Sequence, residues 1–84
     1  MTDTCRDHDG RNWKIKWGVD EPVQTLLEVF NCVGPLLSTT DLATFDDPRY
    51  PREMKTFQVY TCPSGQIVAM AEITPGVYAV GIQI

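Results

Sequence analysis

The chain has 84 residues, 43% of them hydrophobic and 21% charged, and its 7 Lys+Arg against 11 Asp+Glu leave a formal charge of −4. That is one small domain spanning 1–84, too short for a second core and too apolar for wholesale disorder. The acidic balance, with no basic tract, argues against direct nucleic-acid binding, which needs Lys and Arg to displace counterions, and no apolar run approaches the roughly 20 residues of a membrane-spanning helix.

Residues 1–10 are polar and charged and read as a mobile lead-in, not a secretory signal. Asn12-Trp13-Lys14-Ile15-Lys16-Trp17 then alternates strictly, placing Trp13, Ile15 and Trp17 on one face of a strand that Gly18 ends. Asp20-Glu21-Pro22 signals a helix start, with Asp20 as cap and Pro22 in the first turn. Val23, Leu26, Leu27, Phe30 and Val33 recur at helical spacing, and Gly34-Pro35 stops the run. The spacing predicts one amphipathic helix over 21–33.

From Leu36 to Glu53 the patterning decays, and Pro48 and Pro51 argue for a long irregular loop over 36–53. The C-terminal third reads as three strands over 55–62, 66–73 and 77–83. Pro63-Ser64-Gly65 and Thr74-Pro75-Gly76-Val77 form the turns between them, the second with Pro and Gly where a type II turn wants them. The expected fold is α+β: one amphipathic helix on an antiparallel sheet of about four strands, in the order β-α-β-β-β. The expected core is Trp13, Ile15, Trp17, Leu26, Leu27, Phe30, Val59, Ile67, Ala69 and Val80.

Residues 56–84 carry a single charge, Glu72. On the last strand Tyr78, Val80, Ile82 and Ile84 form an apolar face opposite Val77, Ala79, Gly81 and Gln83. A sheet with one wet face alternates more cleanly than this. The strand is therefore either central, or its outer face is covered by the long loop or by a second chain. Tyr78, Ile82 and Ile84 are the candidate self-association residues, giving a homodimer.

Cys5, Cys32 and Cys62 are odd in number and widely spaced, which does not make a disulfide framework. The expectation is three free thiols in a cytoplasmic protein, with Cys32 the most accessible ordered one. Cys5-Arg6-Asp7-His8 with Cys32 and Cys62 offers zinc-like ligands, but the spacing matches no standard knuckle. Neither metal nor cofactor is expected. His8 is the single His, and no nucleophile, acid or base is assembled in sequence, so no enzymatic activity is expected.

Recognition fits better. Arg49, Tyr50 and Arg52 are interface-type residues on a proline-stiffened segment, flanked by the acidic Asp41, Asp46 and Asp47. The function expected is a small acidic protein-binding module, an intracellular inhibitor or adaptor docking on a protein partner, in one variant through a basic surface. Phage-encoded inhibitors such as anti-CRISPR proteins share this size and charge as a class. The alternative is a structural or accessory subunit of a homo-oligomer, joined through the C-terminal strands.

Overall fold

The computed structural model describes residues 2–20, 23–29, 32–47 and 50–84. Among them are six strands and one helix: β1 Thr2–Arg6, β2 Asn12–Val19, α1 Val23–Val29, β3 Leu37–Asp47, β4 Tyr50–Thr61, β5 Ile67–Thr74 and β6 Val77–Gln83. The strands form a single antiparallel sheet in the order β1-β2-β6-β5-β4-β3, curled into a half-barrel. The fold is thus mostly sheet, which corrects the expected α+β arrangement of a helix on four strands.

Three local features account for the difference. The lead-in is not loose: Thr2–Arg6 pairs with β2 in the register Thr4↔Lys14 and Cys5↔Trp13. The turn between them closes with Gly10 N–H donating to the Asp7 carbonyl at 3.1 Å and with Gly10 at φ 88°. A three-residue loop ending in a left-handed residue is a standard hairpin connection, and glycine takes that conformation without Cβ strain. The Cys62–Gln66 turn repeats the device with Gly65 at φ 94°.

Next, residues 37–47 are a strand and not a loop. The Leu37↔Thr61 register slips before Leu42↔Gln58, so the bulge over 39–41 hides the alternation of the Ala43 and Phe45 positions. Thr39 holds the bulge by donating its hydroxyl to the Val59 carbonyl at 2.8 Å, while Gln58 donates to the Thr39 carbonyl at 2.9 Å. A second slip, between Asp46↔Met54 and Asp47↔Tyr50, accommodates Pro51, which lacks a ladder donor.

Last, the helix is short, and Phe30 of the expected stripe lies outside the described residues. Val33 is exposed, so it does not continue that stripe.

The curl follows from side-chain size. β2 and β3 are separated by three strands in sheet order, yet the Trp13 and Phe45 ring centroids lie 6.0 Å apart. Trp17 meets Phe57 at 5.6 Å, and Phe45 meets Phe57 at 4.8 Å. Ala69, Ala71, Ala79 and Gly81 on β5 and β6 leave the floor low enough for these rings to bridge over it. This concave core takes the odd-numbered positions of all six strands, including Ile15, Ala43 and Val59.

A second core lies on the convex face, where Leu26 and Leu27 of α1 cover Val68 and Val80. Gly18, at φ 77° within the slip between Lys16 and Val19, reverses the alternation of β2. Trp17 therefore faces the concave core while Val19 joins the helix. The expected core was single; of its members, Trp17 and Ile67 are half-buried and the other described ones buried.

Cys32 and Cys62 form a disulfide, both buried, with Cα atoms 5.6 Å apart; Cys5 lies outside this bridge. This corrects the expectation of three free thiols and of an accessible Cys32. The bridge ties the end of the helical segment to the end of β4, a pairing of residues 30 apart that spacing alone does not reveal. Among the described residues no helix is long and apolar enough to cross a membrane.

Candidate functional site

The carboxylate of Asp7, a residue the sequence pattern did not single out, accepts four hydrogen bonds. Its Oδ1 accepts backbone N–H groups from Asp9 at 3.0 Å and Arg11 at 2.8 Å. Its Oδ2 accepts Arg11 Nε–H at 2.8 Å and Trp13 Nε1–H at 2.9 Å. Burial pushes this carboxyl up. The Trp13 hydrogen bond, the Arg11 amide and side-chain bonds and the Arg11 charge together outweigh burial and hold it below the usual carboxylate range.

From this anchor the turn reaches across the open side of the half-barrel. Arg11 donates Nη1–H to Asp41 at 2.6 Å and Nη2–H to the Leu42 carbonyl at 3.0 Å. Its guanidinium carbon also stands 5.5 Å from the Trp13 ring centroid. Burial lowers the Arg11 pKa, but hydrogen bonds and charges of Asp41 and Asp7 more than offset it, leaving the group above its ordinary value. His8 N–H donates to the Thr44 carbonyl at 3.0 Å, and His8 Nε2 lies 3.0 Å from Asp46 Oδ1.

The turn over 7–11 is thus a clasp that seizes β3, the strand at the far edge of the sheet. It occupies outward carbonyls that would otherwise template another strand. The sequence signal was present in Asp7-His8-Asp9-Gly10-Arg11, an Asp/Gly turn followed by an alternating strand.

This geometry reassigns the acidic candidates. Asp41 and Asp46 do not stand free; they receive the clasp through Arg11 and His8. Asp47, Tyr50 and Arg52 sit at the closed end of the β3–β4 hairpin, with their backbone in the strands and their side chains outside what the structure describes. Arg49 lies outside the described residues.

The hairpin end is set apart from the sheet. The β4–β5 register runs from Thr61↔Ile67 to Gln58↔Met70. The β4 residues before Gln58 find their register partners on β3. Among the described side chains toward the closed end of this hairpin, Met54, 65% exposed, and Leu42 are large, apolar and exposed.

The self-association candidates separate. β6 is central, flanked by β2 and β5, so neither of its edges is free for another chain. Tyr78 and Ile82 pack beside the convex core, and Glu72 opposite Tyr78 raises its phenol pKa by hydrogen bonding and charge. Ile84 alone of the three is exposed. The zinc-like set cannot assemble, because Cys32 and Cys62 spend their sulfurs on each other.

Comparison with protein-family models, curated proteins and solved structures finds no match to this chain.

Proposed function

We propose that the protein is a non-catalytic protein-binding module whose recognition element is the closed end of the β3–β4 hairpin. The observation that carries this reading is the departure of β4 from β5 beyond Gln58↔Met70. Among the described residues there, the pairs Asp46↔Met54 and Asp47↔Tyr50 run only across the hairpin, and Met54 is exposed.

The clasp on Asp41, Leu42, Thr44 and Asp46 fixes the base of that hairpin, so little conformational entropy is lost on docking. Arg49, Tyr50 and Arg52 supply residue types that dominate binding energy at interfaces. The net charge of −4 adds salt-sensitive attraction to a basic partner surface.

The cytoplasmic assignment drew on free thiols. The Cys32–Cys62 bridge supports an oxidising compartment instead.

A photo-crosslinking residue at position 54, compared with one at the exposed helix position 24, tests the reading in the native host. It predicts one discrete protein adduct from position 54 and none from position 24. Adducts from position 24 alone, or from neither, would contradict it.

A further inference from the structure

β1 is an edge strand that pairs with β2 alone. Asp7 N–H donates to the Arg11 carbonyl at 2.9 Å, so the Asp7 backbone faces β2. Residues of an antiparallel pair alternate between bonded and unbonded positions. Asp3 and Cys5 therefore also turn their backbone to β2, and Thr2, Thr4 and Arg6 turn theirs outward. Among the described residues, none bonds those outward N–H and C=O groups. The opposite edge of the sheet is capped. On β3 the N–H groups of Asp41 and Leu42 go to Thr39 Oγ1 and Asp41 Oδ1, at 3.2 and 2.9 Å, and the Leu42 and Thr44 carbonyls go to the clasp.

The open edge also carries charge of one sign on one face. Arg6 stands opposite Asn12 in the register and Thr4 opposite Lys14, so Arg6, Lys14 and Lys16 share one face of the β1–β2 hairpin. They are three of the 7 Lys+Arg of an acidic chain. Arg6 and Lys14 are exposed and stand diagonally across the pair, about 7–8 Å apart at the backbone, which long side chains span. Asp3 falls on the other face.

We propose that the outer edge of β1 receives an extended segment of a partner protein, antiparallel like the rest of the sheet, with carboxylates at alternate positions. Two observations select that occupant. Each outward residue offers an N–H donor and a C=O acceptor together, which a polypeptide backbone matches and an acceptor-only phosphate does not. An incoming residue paired with Thr4 or Arg6 shares their face. It lies beside Arg6, and from the place opposite Thr4 it is two strand spacings, about 10 Å, from Lys14, a gap that a Lys and a Glu side chain together cover. Carboxylates at those places complement the cations, and basic residues there are repelled. A second copy brings neither kind of suitable edge: its β1 carries the same cations, and its β3 is capped. Charges on an edge strand exclude indiscriminate pairing, so the edge admits only a strand that answers them. The proposal rests on this edge and not on the hairpin reading.

The test adds a blocked peptide alternating Glu and Val to the unsubstituted protein and follows amide chemical shifts. Saturable shifts are expected at Thr4 and Arg6, with slowed hydrogen exchange at the same two amides. A twin with Lys for Glu should bind at least about tenfold more weakly. A twin N-methylated at every Glu, where the N–H faces β1, should not bind. Arg6→Glu combined with Lys14→Glu should reverse the preference between the Glu and Lys peptides. The absence of shifts up to millimolar peptide overturns the proposal. So do shifts centred on the β3–β4 hairpin, binding indifferent to N-methylation, or a Lys twin that binds equally. Shifts at Thr4 and Arg6 that follow protein concentration without peptide assign the edge to a second copy and overturn it too. The peptide series uses the unsubstituted chain and decides the matter even where the double variant fails to fold.

Discussion

The indole N–H of Trp13 donates to Oδ2 of Asp7 at 2.9 Å inside the molecule, joining the largest buried side chain to a buried carboxylate. The bond locates the clasp on the concave core: moving Asp7 moves the ring against which Phe45 packs. Four donors converge on the two oxygens of that carboxylate, from Asp9, Arg11 twice and Trp13.

Asp7→Asn should therefore cost about 2–4 kcal/mol of stability. An amide supplies one acceptor oxygen, and its NH2 would point at two N–H donors on one side or the other. Arg11, partly buried, would keep Asp41 but lose one of its two close carboxylates, which adds to the cost. Urea unfolding of the variant measures this.

Trp13→Phe should cost more than Trp17→Phe. The first change strips a hydrogen bond from Asp7. The second removes an N–H that is buried without a partner among the described residues. The same urea series ranks the two.

Acid should weaken the clasp in a defined direction. Asp7 has a folded pKa below its unfolded value. Its ionised form stabilises the fold fully above about pH 4, the ordinary carboxylate range, and that contribution disappears as the pH falls through the lower folded value. The melting temperature of the unsubstituted chain should drop through this window. Asp7→Asn should lack that part of the slope.

Gly81→Ala should destabilise by about 1–3 kcal/mol through overpacking. A Cβ at Gly81 would lie 2.8 Å from Cγ1 of Ile15, its register partner on β2. Combination with Ile15→Ala should cost less than the sum of the two single changes, since the second removes the atom that clashes. A double-mutant cycle reads the coupling.

Removing the Cys32–Cys62 bridge by double Ser substitution should cost about 2–4 kcal/mol, the usual range for a bridge of this loop length. Thiol titration of the unfolded, unreduced chain should count one thiol, Cys5, and three after reduction. Three thiols before reduction would contradict the pairing.

What the amino-acid pattern discloses is the part with clean periodicity. Trp13, Ile15 and Trp17 alternate without interruption, and Gly65 and Pro75-Gly76 punctuate the C-terminal strands, so β2, β5 and β6 are legible. β3 is not, because the bulge over 39–41 breaks its period, and because prolines that look prohibitive sit where the ladder slips anyway. The helix stripe was legible through Leu26 and Leu27. Its partner face was not, because the reversal at Gly18 sends neighbouring β2 residues to opposite cores. The uncharged β6 announced burial on both faces, and its central place between β2 and β5 is the reason. Of the candidate site, Asp46, Asp47, Arg49, Tyr50 and Arg52 stand out by residue type, on what the sequence reads as an irregular loop, while Met54 does not. The clasp was missed because its charges resemble those of any solvated turn.

The curled sheet with a core on each face makes one assignment that a helix packed over the tryptophan strand reverses. Trp13 belongs with Phe45 on the concave side, and Leu26 and Leu27 belong with Val68 and Val80 on the other. Nuclear Overhauser contacts from the Trp13 indole decide between them. Contacts to the Phe45 ring, with the Thr44–His8 backbone contact beside them, are the result expected of the half-barrel. Contacts from Trp13 to Leu26 and Leu27, with none to Phe45, would contradict it.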